Sequence, residues 1–264
     1  MIPSSAVGGF TLSDSTVAFY TRIRALLPPD AVVLDFGAGR GLAAEDGVQY
    51  RRQLANLTDV ATVIAADVDP VVQLNPNSTR QVTLDSDTST LPFEDEQFDL
   101  IVSDWTLEHV STPRDTAAEL LRVLKPGGWL CARTPNAHGY IAVGARLVPK
   151  LLHSVTLAKL QPQRQERDVF PKVYALNTRR SIKRVFGARA DVHILNFASD
   201  PAYVGSSPVL SAALHSVELR LPAAFHNTLL IFVQRKPDTR PGHGGHVKSP
   251  GTDVDRLGQR SGRA

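Results

Sequence analysis

Short apolar runs bounded by turn formers alternate with amphipathic stretches along most of this chain. Residues 31–36 (AVVLDF), 60–67 (VATVIAAD), 98–104 (FDLIVSD) and 128–134 (GWLCART) are too short for helices and apolar at successive positions. That is the pattern of strands covered on both faces. Pro126, Gly127 and Gly128 form the turn that opens the fourth run. Phe19, Ile23, Leu26 and Leu27 recur at helical spacing behind Ser13 and Asp14, both N-cap candidates, and residues 115–125 (DTAAELLRVLK) share the period. Residues 191–197 and 227–235 add two further strands, expected as an antiparallel hairpin at one edge. Strands alternating with helices predict an α/β fold, a mostly parallel sheet with helices on both faces and an antiparallel edge strand.

Composition narrows the class. The chain has 264 residues, 42% hydrophobic, with a single Cys. That suits one well-buried globular domain and excludes an internal disulfide framework or a multi-cysteine metal site; no metal site is expected. No run of 18 apolar residues is present, so no transmembrane span is expected, and the first residues lack the basic and apolar regions of a secretory signal. A cytoplasmic location follows as the expectation. The formal charge of +3 hides a strong asymmetry: residues 1–136 hold 10 Lys+Arg against 18 Asp+Glu, residues 137–235 hold 13 against 5, and residues 236–264 hold 6 against 3. The last stretch has nine Gly+Pro in 29 residues and almost no large apolar group, the composition of a disordered tail.

The sharpest local signal is VLDFGAGRG (33–41), in which a strand runs through Asp35 into Gly37, Gly39 and Gly41. In an open α/β sheet, ligands sit beyond the carboxyl ends of the strands, and glycines let them approach the backbone. A dinucleotide loop needs its third glycine at position 42, which is Leu42 here. That spacing disfavours a nicotinamide-dependent oxidoreductase. A carboxylate two residues before the first glycine would repel a pyrophosphate and suit a ligand carrying an ammonium group. The second strand ends at Asp67, where a carboxylate can accept bonds from ribose hydroxyls, with Asp69 the competing candidate.

With residues 87–110 (DTSTLPFEDEQFDLIVSDWTLEHV) and 120–136 (LLRVLKPGGWLCARTPN) following in order, residues 30–136 resemble the class I S-adenosylmethionine-dependent methyltransferases of the type-11, ubiquinone/menaquinone-biosynthesis-like group. The resemblance implies a Rossmann-like seven-stranded sheet with S-adenosyl-L-methionine across the first strand ends. It implies that Asp35, Gly37, Ala38, Gly39 and Gly41 contact the methionyl part, and that Asp67 and Val68 meet the ribose side. Asp87 and Thr88 would sit by the adenine, with Asp85 competing for that role, and Asp104 and Trp105 would line the outer wall. The helix between Gly41 and Val60 departs from the pattern, with Tyr50, Arg51 and Arg52 making it more polar.

Methyl transfer from a sulfonium mainly requires acceptor, methyl and sulfur to be held in line. A hydroxyl or ammonium acceptor must also lose a proton. His109, five residues after Asp104, is the first candidate base, against a reading as a packed imidazole at a helix start. Glu108 reads as a helix-face residue. His138, Tyr140 and Arg146 are the candidate substrate contacts.

The expected organisation is an N-terminal helix or lid over 1–29, a cofactor-binding core over 30–136, a basic substrate or lid insertion over 137–190, the final strands of the same sheet over 191–235, and the tail. Residues 137–189 hold 11 Lys+Arg against two acids. Three explanations of that basic segment stay open: a lid helix packed on the acidic half, attraction of an anionic acceptor, or peripheral contact with anionic lipid. Nucleic acid is not expected, because aromatics are only 6% and no stacking groups interleave the basic ones. Residues 170–187 resemble the late segment of type-11 enzymes among glycan-modifying methyltransferases. The expected reaction is O-methylation of a small-molecule or glycan-linked acceptor. The alternatives are a non-catalytic protein that kept the fold for cofactor or partner binding, and a lipid or quinone C-methyltransferase.

Overall fold

The computed structural model describes residues 6–88, 90–140, 142–143, 175–200 and 208–237. Seven strands form one sheet: β1 (Ala31–Phe36), β2 (Ala61–Asp67), β3 (Arg80–Thr83), β4 (Phe98–Asp104), β5 (Leu124–Pro135), β6 (Ala190–Phe197) and β7 (Thr228–Arg235). Their order across the sheet is β3-β2-β1-β4-β5-β7-β6. The first five are parallel, and β7 runs antiparallel to both β5 and β6. The expected antiparallel pair at the edge is present, with β7 inserted between β5 and the outermost strand β6.

Alternation along the strands divides the core into two layers. Val33, Val63, Leu100, Val102, Leu230 and Phe232 face one layer together with Phe19 and Ile23 of α1 (Ser15–Leu26) and Leu54 of α2 (Gln49–Ala55). Leu34, Ile64, Ile101, Leu229 and Ile231 face the other, against Leu120 and Leu121 of α3 (Pro113–Val123) and Ile182 and Phe186 of α4 (Arg179–Phe186). Residues adjacent in a strand therefore enter opposite cores, which is why these strands read as unbroken apolar runs. The Asp14 carboxylate caps α1 by accepting from the Thr16 and Val17 amides.

Two departures from the sequence pattern are physical. β5 begins at Leu124, before the Pro-Gly-Gly turn, and its pairing with β4 slips between Phe98 and Leu100. Residues 125–128 thus bulge out of a strand that the pattern starts only after them. A further helix, α5 (Pro208–Arg220), falls where no element is expected. Among the described residues no helix is long and apolar enough to cross a membrane. Most of the basic segment, including Arg146, and the tail from residue 238 lie outside the described residues.

Candidate functional site

The strand order reverses at β1 and β4: β2 and β3 build outward on one side, β4 and β5 on the other. Such a switch point leaves a crevice at the carboxyl ends of the two central strands. A cleft of about 1160 Å³ opens there. Single-ligand pockets run to roughly 300–1,000 Å³, so the cleft has room for a cofactor and an acceptor together.

The glycine loop is built by close approach. Gly37 has φ +77°, and its amide donates to the Ala66 carbonyl at 2.7 Å. A Cβ on it would lie 2.2 Å from Thr106 Cγ2, so the loop after β1 and the turn after β4 touch across the head of the cleft. The Thr106 hydroxyl donates to the Gly37 carbonyl at 3.2 Å. Gly41, also at positive φ, packs on the Asn75 side chain. Asn75 is buried and its amide donates to the carbonyls of Ala38 and Gly39, both at 3.3 Å. Nothing in the sequence around Asn75 announces this clamp.

Asp67 closes the loop from below. Its Oδ2 accepts from the Gly39 amide at 2.8 Å, and its Oδ1 from the Asp69 amide at 2.9 Å. A carboxylate offers about four acceptor positions, so two backbone bonds leave capacity for a diol. Asp69 caps the short helix Pro70–Leu74, accepting from the Val71 amide, and also lines the cleft. Asp85 accepts from the Asp87 amide at 2.9 Å. Both line the cleft.

Opposite lies Asp104, at the end of β4. It is gripped by Arg133 of β5, whose Nε and Nη2 donate to its two carboxylate oxygens at 2.7 and 2.6 Å. The same guanidinium donates to the hydroxyls of Ser15 and Thr16 and lies over the rings of Phe19 and Trp105. The Tyr20 hydroxyl donates to Asp104 at 3.3 Å. One buried arginine thus ties α1 to the head of the cleft, and Tyr20 brings that helix onto the cleft wall. Trp105, half-exposed beside it, holds a left-handed φ of +59°, a conformation costly for a bulky residue and concentrated at functional sites.

Asp35 lies between Asp67 and Asp104. Burial first, then the charges of those two carboxylates, push its pKa up to about 7. A cation placed beside it would favour the ionised form. The sole cysteine, Cys131, is buried in the core, and burial holds its thiol protonated.

The cleft wall gathers Asp35, Gly37, Ala38, Gly39, Gly41, Asp67, Val68, Asp87, Thr88, Asp104, Trp105 and His109. His138 is exposed and Tyr140 half-buried, and neither lies on that wall. Burial, with the nearby Glu218 charge, raises the Tyr140 pKa. Glu108 lies in the single helical turn Leu107–His109, buried to 3% exposure and on the cleft wall. Tyr20, Asn75, Thr106 and Arg133 were not anticipated, because each acts through a contact distant in sequence.

A family model described as a methyltransferase domain (type 11) matches residues 34–132. The ubiquinone biosynthesis O-methyltransferase of Pseudomonas fluorescens is 31% identical over 134 residues, 46% of this chain and 53% of the relative. The dimethylglycine N-methyltransferase of Parasynechococcus marenigrum is 26% identical over 159 residues, 60% of this chain and 55% of the relative. The chain thus spans about half the length of the curated relatives it matches. Among solved structures, the Haemonchus contortus phospholethanolamine N-methyltransferase 2, in complex with phosphomonomethylethanolamine and S-adenosylhomocysteine, shares the fold at a TM-score of 0.51 and 16% identity. It covers 84% of this chain, and the likeness covers 52% of that one. The matched residues 34–132 carry the glycine loop, Asp67, and the ends of β4 and β5 that frame the cleft, and over them the chain is similar to the type-11 methyltransferase domain.

Proposed function

We propose that the protein transfers the methyl group of S-adenosyl-L-methionine to a hydroxyl or amine of a small-molecule or glycan-linked acceptor. The observation that carries this reading is the conjunction of a glycine loop with three carboxylates, Asp35, Asp67 and Asp104, at neighbouring strand ends on one cleft wall, where a cationic ligand would favour the ionised form of Asp35. Asp35 and the loop from Gly37 to Gly41 would hold the methionyl end, Asp67 with Val68 the ribose, and Asp87 with Thr88 the adenine. Asp104 and Trp105 would close the outer wall. Bound there, the cofactor supplies an activated methyl, and the chain's part is to orient it and keep water out. The relatives are named as ubiquinone biosynthesis O-methyltransferases, a dimethylglycine N-methyltransferase and demethylmenaquinone methyltransferases, so the choice of a hydroxyl or amine rests on the acidic cleft. Transfer of labelled methyl to a panel of hydroxylated and amine acceptors tests the reading. Binding of the cofactor without transfer to any of them would favour a non-catalytic role.

Asp35 gives this reading a pH signature. Its carboxyl holds a proton below about pH 7 in the free protein, while an ammonium beside it would stabilise the ionised form. Cofactor affinity is therefore expected to rise as pH increases from 5 to 7, approaching about tenfold per unit, and to level above 7. The sign follows because binding must expel the proton. Calorimetry in two buffers of different ionisation enthalpy should show proton release near pH 6. Proton uptake, or affinity flat across that window, would remove Asp35 from the cationic contact.

Asp67→Ala should weaken cofactor binding by about 1.5–3 kcal/mol, the range for hydrogen bonds to a charged acceptor. It also frees the Gly39 and Asp69 amides that Asp67 now holds. An unchanged dissociation constant would eliminate the ribose assignment.

A further inference from the structure

Glu108 is a buried carboxylate to which the reading above gives no task. It follows β4 in the turn Leu107–His109, is 3% exposed, and still forms part of the cleft wall. A carboxylate so far from bulk water is costly unless its oxygens are satisfied. Its Oε2 accepts the Thr134 hydroxyl proton at 2.9 Å. That hydroxyl in turn accepts from Asn177 Nδ2 at 2.9 Å, and Asn177 Nδ2 also donates to the Pro135 carbonyl at 2.8 Å. Thr134 and Asn177 are themselves fully buried. The end of β5 and the residues leading into α4 thus converge to fix one carboxylate at the edge of the cleft.

The charge around it limits what can bind there. Nine carboxylate residues line the cleft, and its only Lys or Arg among the described residues is Arg40, ion-paired with Glu45. A phosphate or carboxylate presented as the reacting group would face repulsion there, whereas a proton donor finds an acceptor.

We propose that Glu108 binds the reacting group of the methyl acceptor and takes its proton, so that the site selects hydroxyl or amine heads over anionic ones. The inference rests on the methyltransferase reading of the cleft. In the transfer the carbon–sulfur bond breaks with its electron pair passing to sulfur, which loses its positive charge. A lone pair of the acceptor oxygen or nitrogen forms the new bond to carbon. The acceptor's proton passes to the Glu108 carboxylate and from there to water. Thr134 and Asn177 are positioning residues in this scheme, acting through Glu108.

Glu108→Gln tests it, because glutamine keeps the size and an acceptor for the Thr134 hydroxyl. The probes are catechol, ethanolamine and methyl glucoside, measured as labelled methyl transfer and as calorimetric binding to the protein with S-adenosylhomocysteine. S-adenosylmethionine affinity should stay within about twofold of wild type, since no cofactor contact is assigned to Glu108. Turnover of whichever probe is methylated should fall about 10²–10⁴-fold, the usual effect of losing a general base. Binding of that probe to the complex should weaken about tenfold, as for an unpaired polar group. Thr134→Val should lower turnover without changing the KM for the cofactor, and Thr134→Ser should restore it. This pair carries the test if Glu108→Gln does not fold. Wild-type turnover in Glu108→Gln, or in Thr134→Val, would overturn the proposal. So would a wild-type protein that binds the cofactor and methylates none of the three probes. A wild-type protein that binds no cofactor would instead bring down the reading on which the proposal rests.

Discussion

Gly37→Ala is expected to destabilise the protein by about 2–5 kcal/mol, combining about 1–2 for a left-handed residue with about 1–3 for overpacking. The two costs arise at the same atom. The residue holds φ +77°, and the added methyl would lie 2.2 Å from Thr106 Cγ2 and 2.3 Å from its hydroxyl oxygen. Neither partner can retreat easily, because the Thr106 hydroxyl donates to the Gly37 carbonyl and the Gly37 amide donates to Ala66. Moving the loop would also disturb the Gly39 amide that Asp67 accepts. Cofactor affinity should therefore drop at least a hundredfold, roughly 2.8 kcal/mol at 1.4 per factor of ten. Gly39→Ala is the control for stability: its φ is +49°, but a Cβ there meets nothing within 4 Å. It should cost only the left-handed term, about 1–2 kcal/mol. Urea melts and calorimetric titration of both variants would distinguish close approach from backbone freedom. Equal stability losses in the two would refute the steric argument.

Arg133→Ala carries the second large effect. The guanidinium is 4% exposed and makes two hydrogen bonds to Asp104 and two to the first turn of α1. Among the described residues, removing it leaves the Asp104 carboxylate with the Tyr20 hydroxyl at 3.3 Å, in a site already crowded by Asp35. Breaking a buried ion pair by deleting one partner costs about 3–5 kcal/mol, which should appear as a lowered denaturation midpoint at unchanged slope. Hydrogen exchange in α1 should accelerate, since Arg133 anchors its first turn through Ser15 and Thr16. The double variant Arg133→Met with Asp104→Leu should recover most of the loss, because a buried pair is often no more stable than apolar residues in its place. A single-variant loss below about 1 kcal/mol would put this pair in the class of weak surface bridges.

These contacts show what the amino-acid sequence could and could not disclose. β1, β2 and β4 were legible because both their faces are buried, so Val33 and Leu34 are apolar for different cores. β3 was invisible: it is four residues of an edge strand, Arg80–Thr83, with no buried side chain to mark it. α5 was missed because its sequence shows no clear apolar stripe against polar neighbours. The glycine loop was legible as spacing, since positive φ leaves a residue-type trace at Gly37, Gly39 and Gly41. Asn75, Arg133 and Thr106 left none. An asparagine, an arginine in a strand and a threonine in a turn have many roles, and theirs are set by partners 29 to 69 residues away. Glu108 is legible in sequence as a helix-face residue, but its burial is not, because the chain to Thr134 and Asn177 that satisfies it joins residues 26 and 43 positions apart.

The charge asymmetry also takes a structural form. The acidic front half supplies the carboxylates of the cleft. The basic surface is represented among the described residues by α4, where Arg180, Lys183 and Arg184 are exposed. An acidic cleft suits a cofactor that arrives with a positive sulfonium and leaves without one.

The most direct measurement is a calorimetric titration of the full chain with S-adenosylmethionine, S-adenosylhomocysteine and NAD, at pH 6 and pH 8. One site per chain is expected for each of the first two, with tighter S-adenosylmethionine binding at pH 8 and no heat from NAD. Binding of NAD with none of either adenosyl ligand would contradict the account.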